Sequence, residues 1–128
     1  MKNGYIDVRG CWGVVISYDF GRLDEYEMRS MMISLGMRGK SIDDAVEILL
    51  NEKNTGFCVS NDRLQMSFVF IGNATNKEQF WDTVIHELYH VQQAICKYYD
   101  VEADTEDGAW TMGYLMRKTV EEIAEPCV

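Results

Sequence analysis

Residues 76–98 constrain this chain more than any other stretch. Phe80, Trp81, Val84, Ile85, Leu88, Val91 and Ile95 recur at spacings of three and four, the period of one helix face. Gln79, Thr83, His86, His90, Gln93 and Lys97 form a second stripe at the same spacing, polar throughout. A helix patterned this way lies on a core with one side and opens onto a polar cleft with the other. Thr75-Asn76-Lys77-Glu78, just before it, has the Ser/Thr-x-x-Glu form of a capping box. The pattern predicts a helix from about Asn76 to Tyr98, roughly 35 Å long at the usual rise. The rest of the chain must be arranged around it.

The polar stripe carries His86-Glu87-Leu88-Tyr89-His90, and these are the only two histidines in the chain. Two residues four apart lie about 40° apart on a helix, one turn above the other, so both imidazoles can reach one metal ion. Glu87 then projects beside that ion, where it can take a proton from a bound water. The plain alternative is a surface helix with two solvated histidines. Cys96 is six residues beyond His90, about 120° off the histidine stripe, and is not counted as a ligand.

The remaining segments predict a mixed composition of elements. Tyr5 to Tyr18, rich in Val, Ile, Tyr and Trp, reads as one or two strands. Leu23, Tyr26, Met28, Met31, Met32 and Leu35 suggest a helix that Gly36 or Gly39 can end. Ser41 is a candidate N-cap for a short helix through Ala45, Val46, Ile48, Leu49 and Leu50. Phe57 to Ser60 and Gln65 to Ile71 flank the turn Asn61-Asp62-Arg63 and read as a hairpin whose second strand is largely buried. A last helix runs to about Ala124, with Ala109, Met112, Gly113, Met116, Val120 and Ile123 as its core stripe. No repeat or linker divides residues 1–128, so one domain is expected.

Composition narrows the function classes. The formal charge is −9, which opposes binding to phosphate backbones, so no nucleic-acid partner is expected. No run of eighteen apolar residues predicts a membrane span. The first residues lack the apolar core of a signal peptide, and Cys11, Cys58, Cys96 and Cys127 form no Cys-x-x-Cys pair; reduced thiols and a cytoplasmic location are the expectation.

A catalytic zinc takes three protein ligands and keeps one position open. With both histidines used, the third is expected to be a carboxylate from the last helix or the turn before it. Glu106 is the leading candidate: its spacing to Ala109, Gly113 and Met116 puts it on the expected core stripe, where a carboxylate is costly to bury unless it binds metal. Glu102, Asp104 and Asp107 are the others, or the site has no third protein ligand.

His86-Glu87-x-x-His90 followed by a glutamate on a later helix resembles the gluzincin branch of zinc metallopeptidases. Glu106-Asp107-Gly108-Ala109 is similar to the Glu-x-x-Ala start of the glutamate helix in ImmA/IrrE-type peptidases. Small single-domain metallopeptidases of bacteria, phages and mobile elements share this layout, and the likeness covers about Gly56 to Lys118. The chain departs from the thermolysin-like pattern at Trp110, where an aspartate would stand; Asp82 is a possible substitute for orienting a histidine. The resemblance implies an α+β, zincin-like minimal domain: a small, largely antiparallel sheet packed on the motif helix and the glutamate helix. It implies one Zn²⁺ held by His86, His90 and Glu106, with Glu87 as general base, and a protein or peptide substrate. That substrate would pair with an edge strand, for which Met66 to Ile71 is the expected segment. Tyr114 and Tyr89 are the candidates for stabilising an oxyanion, although each has a packing role as its simpler explanation. The other readings are a non-catalytic, metal-stabilised binding or regulatory domain, and a metal-free interaction protein.

Overall fold

Alternation at period two builds the centre of the fold. A computed structural model describes residues 1–123 and 126. It contains strands β1 (Lys2–Val8), β2 (Trp12–Tyr18), β3 (Gly56–Asn61) and β4 (Met66–Ile71), and helices α1 (Glu25–Ser34), α2 (Lys40–Asn51), α3 (Lys77–Tyr98) and α4 (Glu106–Glu122). The strands form one sheet in the order β1-β2-β4-β3. β1 with β2 and β3 with β4 are antiparallel hairpins, whereas β2 and β4 run parallel, with Val14 beside Ser67 and Ile16 beside Val69. The fold is therefore α+β around a four-stranded mixed sheet.

Both faces of the sheet are covered, so its central strands are apolar on both sides. Trp12, Val14, Ile16, Tyr18, Val69 and Ile71 face Phe80, Val84, Leu88, Val91 and Ile95 of α3 and Leu115 of α4. On the opposite face Phe70 packs with Phe20, with Met28 and Met32 of α1, and with Ile42, Val46 and Leu49 of α2. Each such fully buried large side chain contributes about 1.5–3 kcal/mol.

Several expectations change at this level. β4 is an interior strand, because β2 occupies the edge that would have met a substrate; β3 is the edge strand instead. Leu23 is fully exposed at 101% and Tyr26 is 84% exposed, since Arg22–Asp24 form a separate 3₁₀ turn and α1 begins only at Glu25. α2 starts at Lys40 after Gly39 in a left-handed conformation (φ 64°), one residue before the expected cap, and the Ser41 hydroxyl instead donates to the Arg38 carbonyl. The cap of α3 is Asn76, whose side chain accepts from the Gln79 amide, while Thr75 bonds Asn54. Ile85 is exposed rather than part of the core stripe.

α4 is rotated from its expected setting. Gly108, Leu115 and Thr119 are its buried residues, and Glu106, Ala109, Gly113 and Val120 are exposed. The close approach belongs to Gly108: a Cβ there would run into the Ala103 carbonyl. Gln92 of α3 fixes this corner by donating to the carbonyls of Ala103 (2.9 Å) and Gly108 (3.1 Å). Ala124 and Cys127 lie outside the described residues. Among those described, no helix is long and apolar enough to cross a membrane.

Candidate metal centre on the long helix

The apolar stripe of α3 faces the sheet, so its polar stripe must face outward, and both histidines are exposed. Their Nε2 atoms approach to 3.3 Å, with ring centroids 5.0 Å apart and planes inclined at 75°. That separation is long for a hydrogen bond between neutral rings. It matches two nitrogens on one tetrahedral zinc: at about 2.0–2.1 Å from the metal each, they stand roughly 3.3 Å apart. The spacing of the donor pair thus suits a shared metal ion.

Glu87 faces the other way from most carboxylates in this acidic chain. It is only 6% exposed, and its Oε1 lies 3.9 Å from His86 Nε2. Among the described residues no donor hydrogen-bonds its carboxylate. Burial pushes its pKa above the usual carboxylate range, and His86 and His90 pull in the opposite direction. A carboxylate held beside two imidazoles, poorly solvated and free to accept a proton, has the character of a general base.

Edge strand β3 forms the wall opposite Glu87. Its α3-facing residues are Gly56, Cys58 and Ser60, all small, and they sit beside Ile71, Val69 and Ser67 of β4. Gly56 is required by contact: a Cβ there would stand 2.6 Å from the Thr83 methyl and 2.8 Å from Glu87 Cγ. Two cavities open on either side of this waist. One, of 420 Å³, is lined by Phe57, Cys58, Ser60, His90 and Ala94; the other, of 370 Å³, by Asn54, Gln79, Asp82 and His86, and both share Gly56 and Glu87. Together they make an open cleft along the strand edge, with Glu87 at its middle. Burial and the Glu87 charge push the Cys58 thiol up to about 12, so it stays neutral and inert as a nucleophile. This small-residue wall escaped the sequence reading, although Gly56-x-Cys58-x-Ser60 is a period-two signal.

The other expected residues are placed less closely. Glu106 is the first residue of α4 and is exposed. The start of α4 touches α3 at Gln92, and Asp107 acts electrostatically on Cys96. By helix geometry those positions are about 100–140° round from the histidines, on the side opposite Glu87. On α4, Glu106 lies about 200° round from Gly108, so it points away from the side that packs on α3. Among the described residues no three His, Cys, Asp or Glu side chains are grouped to hold a metal. Asp82 lines the cavity at His86 without a hydrogen bond to it. Tyr114 is committed elsewhere, donating to the Asp7 carbonyl at 2.8 Å, and Tyr89 is half exposed. No protein-family model, curated protein or solved structure matches the chain.

Proposed function

We propose that this protein is a zinc-dependent peptide hydrolase of the gluzincin type, with a zincin-like arrangement of sheet, motif helix and glutamate helix. The observation that carries this reading is the geometry on α3: two Nε2 atoms 3.3 Å apart, and a buried carboxylate 3.9 Å from one of them. A pair of histidines placed only for solubility needs no buried glutamate between them, and burying one without a donor costs stability.

In this reading His86 and His90 hold the ion, and Glu106 completes the set once the start of α4 moves and turns towards them, which a side-chain rotation alone does not achieve. A zinc ion bound by these residues would supply Lewis acidity, polarising a carbonyl and acidifying a water. Glu87 takes the water proton on its carboxylate and delivers it to the departing amine. The free edge of β3 binds an extended substrate by strand addition, which reads backbone more than side chains. The small residues Cys58 and Ser60 line the cavity that Glu87 and His90 share.

A non-catalytic, metal-stabilised binding or regulatory domain is the second reading, favoured by one observation: Glu106 is not gathered to the histidines in the described residues. Peptide-library cleavage by zinc-loaded protein separates the two. The hydrolase reading expects cleavage that Glu87→Gln lowers by at least about a hundredfold while bound zinc is unchanged. Zinc-loaded protein that cleaves nothing, and behaves the same with Gln at position 87, favours the binding domain.

A further inference from the structure

A further cavity lies away from the histidines. It occupies 540 Å³ between the β1–β2 turn and α4, and a second cavity of 320 Å³ adjoins it. Arg9, Trp110 and Tyr114 line both, so the two form one groove.

Three features make this groove unusual for a chain with 21 acidic and 12 basic residues. Arg9 and Arg117, which line it, lie over the Tyr114 ring at 5.8 and 5.6 Å; Lys118, 5.8 Å from the same ring, lines neither cavity and is paired with Glu121 at 3.4 Å. Among the described residues neither arginine has a carboxylate partner, and the nearby Asp7 carboxylate is engaged by the Gly10 amide. Like charges gathered this way repel one another unless an anion joins them. Trp110 is 67% exposed beside them, offering an apolar surface with no internal partner. Finally, Gly113 lies in the middle of α4, where glycine costs about 1 kcal/mol relative to alanine. No atom lies within 4 Å of the Cβ it lacks, so helix packing does not require it. What its absent side chain does is leave the groove open.

We propose that this groove is a docking site for an acidic polypeptide segment bearing an apolar side chain, separate from the histidine cleft. Carboxylates of the segment meet the planar guanidinium groups of Arg9 and Arg117, which suit them geometrically. Its apolar side chain covers Trp110 over Gly113. A polyphosphate chain fits less well, because it has no apolar group to cover Trp110.

The test is fluorescence anisotropy with a labelled short peptide carrying several glutamates around a central leucine in a serine and glycine background. The competitors are the same peptide with lysines for glutamates and an oligothymidylate of equal length. The acidic peptide is expected to bind, more weakly as salt rises. Gly113→Leu is expected to weaken it at least about tenfold by filling the groove, while strengthening the helix, so lost binding cannot be lost folding. Arg9→Glu with Arg117→Glu is expected to weaken it at least as much. His90→Ala is expected to leave it unchanged. The proposal is overturned by no binding, by equal binding of the lysine peptide, by tighter binding of the oligothymidylate, or by binding that survives the groove variants.

Discussion

At the residue scale the site turns on a contact rather than on a charge. Gly56 presses its backbone against Thr83 and Glu87, and this is what holds the Glu87 side chain beside the histidines. Gly56→Ala puts a methyl into that contact, which outweighs the fraction of a kcal/mol that alanine gains over glycine in a strand. The expected cost is about 1–3 kcal/mol in urea denaturation, the usual penalty for overpacking. Bound zinc should be retained, since the atoms nearest the added methyl belong to Thr83 and Glu87 rather than to the histidines. Hydrolysis should fall with the displaced Glu87. A variant as stable and as active as the parent would contradict the role given to this contact. Glu87 and the histidines were legible in sequence because their chemistry is local to one helix turn. Gly56 was not, because its partner lies about thirty residues away and only the fold brings them together.

At the element scale the helices are legible in outline and not in their limits. The period of α3 was plain, because six of its seven expected apolar positions share one face, Ile85 excepted; its cap shifted from Thr75 to Asn76 because the hydroxyl of Thr75 is taken by Asn54. Two exposed apolar residues, Leu23 and Tyr26, misled the reading of α1, since periodicity cannot tell a buried stripe from an exposed one. What fixes that region is a network of charges. Arg22 reaches Glu25 (3.2 Å) and Glu47 (3.0 Å) and donates to Asn51, tying the 3₁₀ turn to α2. Arg22 holds the Glu47 carboxyl below its usual range, with help from Asn51; Arg29, then Arg22, do the same for Glu25. A carboxyl lowered in the folded state stabilises above its unfolded pKa, and that contribution disappears as pH falls through the folded value. Arg22→Ala should therefore lower the melting temperature near neutral pH. The gap to the parent should close as pH drops below about 4, and shrink in high salt. A gap that persists at low pH would mean Arg22 acts through packing instead.

At the scale of the whole molecule, one choice made the cleft: the parallel pairing of β2 with β4. It buries β4 and leaves β3 as the edge beside α3. The continuous apolar run Phe68-Val69-Phe70-Ile71 did carry the signal of a strand covered on both faces. The strand order did not follow from it, because pairing across the α1–α2 connection is a long-range event that no local period encodes. The third metal ligand stayed open for the same reason: spacing alone set the face of α4 one notch off, and only packing of Gly108 on Ala103 fixes its rotation. We propose that His86 and His90 hold one metal ion between them. Elemental analysis of protein purified without added metal, then reconstituted with zinc, tests it most directly, beside His90→Ala and Glu106→Ala. The expected result is about one zinc per chain, lost in His90→Ala and lowered in Glu106→Ala if that carboxylate completes the site. Wild-type protein that takes up no zinc after reconstitution would contradict the account.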